Sequence, residues 1–161
     1  MAKTIFVSNR LSTTAKVSDS GDLSFNRSVG GLATGLSTIH EQEDSLWIGW
    51  SGVTSDEVSQ DLNREISQTL LEQYKSVAVD VSSQELDLFY AGFCNRTIWP
   101  LFHYFTTLVD YNEKTWKAYK EVNERFFRKV AEYAEDGDLI WVHDYQLMLL
   151  PGLIKERFPN S

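Results

Sequence analysis

Residues 139–144 read LIWVHD, four apolar residues followed by a histidine and a carboxylate. A short continuous apolar run between turn residues, here Gly137 and Asp144, marks a strand covered on both faces. Leu139–His143 is therefore expected to be a buried strand, with Asp144 directly after it. Runs of the same kind occur at Thr4–Ser8 (TIFVS) and at Leu46–Trp50 (LWIGW), the second ending at Ser51-Gly52. Val77, Val79 and Val81 alternate and predict a further strand.

Helical patterns fill the intervals. Ser28–Gly35 (SVGGLATG) opens a helix expected to run to about Glu41. Thr54 with Glu57 fits a capping box, and Val58, Leu62, Ile66 and Leu70 recur every four residues behind it. Ser82 with Glu85 repeats the box, followed by Leu86, Phe89, Tyr90 and Phe93 at helical spacing. Asp110 with Glu113 opens a longer helix whose stripe is Trp116, Tyr119, Val122, Phe126 and Val130, with Gly137 ending it. Tyr145–Phe158 reads as a last helix bent at Pro151-Gly152. The polar stretch Ser12–Arg27 reads as a long loop, and loops of that length are usually functional or disordered. Strands alternating with helices predict an α/β domain with a mainly parallel sheet and right-handed crossovers.

Composition narrows the function. The 161 residues carry a net charge of −8, which argues against a nucleic-acid partner. Anionic small molecules remain open, because a local arginine or a helix N-terminus holds a phosphate even in an acidic protein. Cys94 is the single cysteine, so no intrachain disulfide forms, as suits a reducing cytoplasm. MAKTIFVSNR has no apolar run long enough for a signal peptide, and no stretch approaches a membrane span. His40, His103 and His143 lie far apart without metal-ligand spacing, so neither a metal nor another cofactor is expected.

In parallel sheets ligands bind at the carboxyl ends of the strands. Ser8-Asn9-Arg10, Trp50-Ser51-Gly52, the segment after the third strand, and His143-Asp144-Tyr145 all fall there. Arg10 could grip a phosphate with two parallel hydrogen bonds, or pair with one of the many acids at the rim. Gly30-Gly31 at a helix start either brings bare backbone close to an anion or simply makes the entry turn. Asp144 could accept hydrogen bonds from sugar hydroxyls, or cap the last helix. Tyr90–Tyr104 (YAGFCNRTIWPLFHY) crowds aromatic rings around Asn95, Arg96 and His103. Its helical spacing lasts to about Phe93, and Pro100 is expected to stop the helix, which leaves either a ligand wall or a core edge.

Several segments together resemble the trehalose-6-phosphate synthases of glycosyltransferase family 20. They are VSNRL (7–11), SVGGLATGL (28–36), LWIGWSG (46–52), FYAGFCNRTIWPLFHY (89–104), WKAYKEVNERF (116–126) and IWVHDYQLMLLPGLI (140–154). They stand in the family's order and spacing over nearly the whole chain. The resemblance implies a retaining transferase that moves glucose from UDP-glucose to glucose 6-phosphate, built as two Rossmann-like domains facing a cleft, the GT-B arrangement. It implies that Arg10, Tyr90 and Trp99 hold the acceptor's phosphate and that Trp50 lines the acceptor pocket. Asp144 would bond the acceptor's hydroxyls near the reacting oxygen, and Gly31 would lie beside the donor's diphosphate. Phe93, Phe102 and Cys94 are left to packing. Ser12, Phe89 and Gln146 depart from residues common in the family without removing a proposed contact.

By the same resemblance, residues 1–161 form an incomplete N-terminal, acceptor-side domain, and the C-terminal donor-binding domain is absent. The chain alone is then expected to bind acceptor weakly and not to turn over. A sheet lacking its further strands leaves an open edge, so self-association is expected. The alternatives are a non-catalytic sugar-phosphate-binding or regulatory protein and a related transferase with another phosphorylated acceptor, such as glycerol 3-phosphate.

Overall fold

The structure, a computed structural model, describes residues 2–28, 31–42 and 44–161. Its centre is a four-stranded parallel sheet in the order β5-β4-β1-β6, made of β1 (Thr4–Arg10), β4 (Ser45–Trp50), β5 (Ser76–Val79) and β6 (Leu139–Val142). The parallel α/β expectation holds, with flanking helices on both faces.

One face packs Phe6, Trp47, Ile66 and Leu70 together, and it is crossed by α1 (Gly31–Gln42) and α2 (Gln60–Tyr74). The other face packs Ile5, Val7, Ile48, Val77 and Val79 against α5 (Glu113–Tyr133) and α6 (Leu150–Arg157). The stripe on α5 is core as its spacing implies: Tyr119, Val122, Phe126 and Val130 are buried, while Trp116 is half-buried. At the outer edge Leu139 and Trp141 of β6 are 58% and 46% exposed, so this strand is less covered than its apolar run predicts.

The connection reverses direction at β1. From β1 the chain moves to β4 and then β5 on one side, and β6 returns to the other side of β1. Such a reversal opens a crevice at the carboxyl ends of the two strands that flank it. Here those ends carry Arg10 and, just past Val142, Asp144.

Several local expectations are corrected. The stretch 12–27 is not a loop: β2 (Thr13–Val17) and β3 (Leu23–Arg27) pair antiparallel as a hairpin. The hairpin turns at Gly21, where φ is +87°. Thr54 and Glu57 do bond side chain to side chain, but the helix begins later, at Gln60, with Ser59 as its N-cap, whose hydroxyl accepts from Leu62 N–H at 3.2 Å. The intervening turn is tied elsewhere: Asp56 accepts from Ser83 N–H at 2.8 Å, and Ser55 N–H from this turn reaches Val81 O at 3.0 Å. Asn112, not Asp110, caps α5, and α5 ends at Tyr133, before Gly137. The last helix is split into a 3₁₀ turn at Tyr145–Leu147 and α6, with Pro151 in the first turn of α6.

The Ser82–Glu85 capping box is present on α3 (Ser83–Leu86). Arg125 of α5 grips both oxygens of Glu85, one at 2.6 Å, and donates to Asp80 O at 2.9 Å. The Arg125 bonds, aided by Ser82 N–H, hold the Glu85 carboxyl at a pKa of about 2 against 4.5 for the free group. A lowered carboxylate pKa stabilises the fold above the unfolded value and loses that contribution as pH falls toward the folded one. Because the pair is open to water on one side, it contributes about 1–2 kcal/mol. Glu85→Gln is expected to lower stability by that amount at neutral pH and to flatten the loss of stability between pH 4.5 and 2, read by urea denaturation across that range.

Candidate acceptor site at the strand ends

Beyond α3 the chain does not stop being helical. Asp87–Ile98 is a π-helix, and Trp99–Phe102 (α4) continues it through Pro100. Pro100 is tolerated because it sits in the first turn of α4. A π-helix closes i→i+5 bonds and has about 4.4 residues per turn against 3.6 for an α-helix. The burial pattern follows the wider turn. Phe89, then Phe93 and Cys94, then Thr97 and Ile98 are buried, whereas Tyr90, then Asn95 and Arg96, then Trp99 are exposed.

This geometry decides where two of the expected ligands point. Tyr90 and Trp99 are nine residues apart, about two full turns of a π-helix, so they share one face. In an α-helix the same spacing is two and a half turns and sets them on opposite faces. They are 37% and 41% exposed. Trp99 is braced by stacking on His103, with ring centroids 4.1 Å apart, and His103 Nδ1 lies 2.7 Å from Trp99 O. Phe93 and Cys94 pack as expected, but Phe102 is 54% exposed and is not core. Burial pushes the Cys94 thiol well above its ordinary pKa, so it is not a thiolate nucleophile.

Arg10 is exposed and is aimed by its backbone. The β1–β4 register shifts between Val7 and Arg10 and brings Arg10 opposite Trp50. Trp47 Nε1–H donates to Ser8 Oγ at 2.8 Å, and the Ser8 hydroxyl donates to Arg10 O at 2.7 Å, which fixes this irregular strand end. The guanidinium carbon lies 4.6 Å from the centroid of the Trp50 ring. Among the described residues no carboxylate pairs with it, so the rim ion pair is not formed. Trp50 itself is 6% exposed and its N–H is spent on Val53 O at 2.9 Å, so it meets the site as a platform under Arg10.

Asp144 follows β6 in a backbone conformation that residues other than glycine rarely adopt, φ 73° and ψ 169°. Holding a residue there costs about 1–3 kcal/mol. One carboxylate oxygen accepts from Tyr145 N–H at 2.8 Å, and the side chain is otherwise exposed. The capping role is thus real, but it serves the short 3₁₀ turn and uses one oxygen. The Tyr145 hydroxyl donates to Asn95 Oδ1 at 3.1 Å and joins this turn to the exposed row of the π-helix. Burial raises the Tyr145 pKa first of all, with Tyr90 and Asp144 adding to it, so Tyr90 also lies beside this turn. Asn95 and Tyr145 are neighbours of the site that helical spacing alone does not single out.

His143 packs beside Trp141 and Phe6, at centroid distances of 5.1 and 6.4 Å. Burial holds its pKa below the ordinary value, against the opposing pull of Asp144, and its buried Nε2 has no partner among the described residues. Gly31 opens α1, and a Cβ there would meet nothing within 4 Å. Its neighbour Gly30 lies outside the described residues. No group of His, Cys, Asp and Glu among the described residues could hold a metal ion, and no described helix is long and apolar enough to cross a membrane.

Arg10 and Asp144 thus stand at the ends of the two strands that flank the reversal of the sheet, and Tyr90 and Trp99 share the exposed face of the π-helix. The model of glycosyltransferase family 20 matches residues 2–161. The chain belongs to glycosyltransferase family 20. Among family 20 relatives, the alpha,alpha-trehalose-phosphate synthase (UDP-forming) 1 of Aspergillus niger is 42% identical over 160 residues, covering 99% of this chain and 30% of that protein. The bifunctional trehalose-6-phosphate synthase/phosphatase of Thermoproteus tenax is 43% identical, covering 94% of this chain and 21% of that one. The trehalose-6-phosphate synthase structure from E. coli bound with UDP-2-fluoro glucose superposes with a TM-score of 0.71 at 28% identity, over 97% of this chain and 30% of that one. The Burkholderia vietnamiensis alpha,alpha-trehalose-phosphate synthase (UDP-forming) gives 0.74 at 28% identity, over 98% of this chain and 31% of that one. The chain therefore spans a third or less of the length of these family 20 proteins.

Proposed function

We propose that the chain is part of the acceptor-side domain of a retaining glucosyltransferase that joins glucose from UDP-glucose to glucose 6-phosphate, giving trehalose 6-phosphate. Residues 1–161 are read as part of that domain, with a donor-binding domain facing it across the cleft. The observation that carries the reading is the pair of side chains at the switch point: an Arg10 guanidinium with no ion-pair partner among the described residues and an exposed, strained Asp144.

Each group suits one part of the acceptor. Arg10 meets the phosphate as a fork with two parallel donors. Tyr90 and Trp99 add an O–H and an N–H from one helix face and exclude water with their rings. The free oxygen of Asp144 accepts from sugar hydroxyls near the attacking oxygen. Gly31, at the start of α1, would bring backbone without a side chain close to the donor's diphosphate. Catalysis then rests on positioning two substrates and stabilising the departing diphosphate.

Titration with glucose 6-phosphate, followed by tryptophan fluorescence, tests the reading. Glucose 6-phosphate is expected to give a weak but saturable change and glucose none, and Arg10→Met is expected to weaken binding at least about tenfold. Glycerol 3-phosphate in the same titration tests the other acceptor class. With UDP-glucose added, this chain alone is expected to make no disaccharide phosphate. An equal response to glucose, or an Arg10→Met variant that binds as the parent does, would overturn the proposal.

A further inference from the structure

Asp144 holds its strained conformation without help from its own side chain beyond the one bond to Tyr145 N–H. Conformations of this kind persist only where the surroundings over-determine them. The surroundings here are α5 and the π-helix. The Tyr119 hydroxyl donates to Tyr145 O at 2.8 Å and accepts from Met148 N–H at 3.1 Å, so it spans the turn that follows Asp144. Asn123, one helical turn later, donates to Gln146 O at 3.1 Å and to Tyr119 O at 2.9 Å. Tyr119 and Asn123 are 1% and 0% exposed, locked in the stripe of a 21-residue helix. On the solvent side the Tyr145–Asn95 bond ties the same turn to the row that carries Tyr90 and Trp99. On the strand side, His143 N–H donates to Val7 O at 2.8 Å.

We propose that Tyr119 and Asn123 are positioning residues: they clamp residues 145–148 from beneath and so hold Asp144 in the geometry that faces the acceptor, with Tyr145–Asn95 as the outer tie. A buried tyrosine and asparagine in an otherwise apolar helix stripe are otherwise unexplained, since each adds polar atoms to a core that leucine or phenylalanine would fill. Burial raises the Tyr119 pKa to about 12, so its hydroxyl stays a donor at any working pH. The functional half of the inference rests on the reading of Asp144 as the acceptor's hydroxyl-binding carboxylate; the structural half does not.

Tyr119→Phe removes one hydroxyl and keeps the ring. A residue with positive φ gives a strong intraresidue amide-to-Hα NOE, so Asp144 reports its own conformation by NMR. In Tyr119→Phe that NOE is expected to weaken and shift changes to centre on 143–149. Glucose 6-phosphate affinity is expected to fall about tenfold. A purely structural role would lower the melting temperature and leave the Asp144 NOE and the affinity of the folded protein unchanged, and that result would overturn the proposal. Should Tyr119→Phe fail to fold, Asn123→Leu, which removes the donor to Gln146 O and keeps the volume, gives the same readouts. A weakened Asp144 NOE there supports the clamp, and an unchanged one overturns it. If the parent chain does not bind glucose 6-phosphate, the acceptor reading falls, while the Asp144 NOE still decides the clamp.

Discussion

Replacing Gly49 with alanine is expected to cost about 3 kcal/mol or to prevent folding. A Cβ at Gly49 would stand 2.8 Å from Ser8 O, 2.9 Å from Leu11 N and 3.0 Å from the carbonyl carbon of Arg10. All three are backbone atoms of the neighbouring central strand or of its continuation, so no flexible side chain can yield. The strand itself must move where its register shifts to aim Arg10. Urea denaturation reads the loss, with Gly152→Ala as control. At Gly152, inside α6, nothing lies within 4 Å of the added carbon, so the control is expected to be as stable as the parent or up to about 1 kcal/mol more stable. If Gly49→Ala matches that control, the close approach of β1 and β4 is not what fixes Arg10.

The second large effect separates the strain at Asp144 from its chemistry. Asp144→Ala and Asp144→Gly both remove the carboxylate, but only glycine relaxes at φ 73°, ψ 169°. Asp144→Gly is therefore expected to be more stable than Asp144→Ala by about 1–3 kcal/mol, read from denaturation midpoints at constant slope. Both variants are expected to lose glucose 6-phosphate affinity about tenfold or more, because an accepting charge is gone in each. Equal stabilities would mean that the backbone at 144 is not strained. A glycine variant that still binds as the parent does would remove Asp144 from the site.

Much of the architecture is legible in the sequence. The apolar runs at β1 and β4 and the valine alternation at β5 are buried in a covered parallel sheet and the stripe on α5 faces it, whereas β6, with the same kind of run, leaves Leu139 and Trp141 exposed at the edge. The Ser82–Glu85 box was readable because its four residues satisfy one another locally. The hairpin β2–β3 is hard to read in the sequence for a physical reason. Its strands are five residues each and its turn is rich in Ser, Asp and Gly. Alternation at Ala15, Val17, Leu23 and Phe25 was the signal present. At Thr54, a valid local pattern lost to tertiary bonds, since Asp56 is taken by Ser83 of the next helix.

The sequence by itself determined the alternation of strands and helices, the strand ends that carry Arg10 and Asp144, and the family. These follow from burial periodicity and from residue identity, which need no partner to be read. The tertiary structure alone decided how these groups are presented. The π-helix puts Tyr90 and Trp99 on one face, because i→i+5 bonding changes the turn from 3.6 to about 4.4 residues. Trp50 became a platform under Arg10, because its N–H found Val53 O. Asp144 is held strained by Tyr119 and Asn123, because hydroxyl and amide partners more than twenty residues away in the chain meet its turn only once α5 has packed against the sheet.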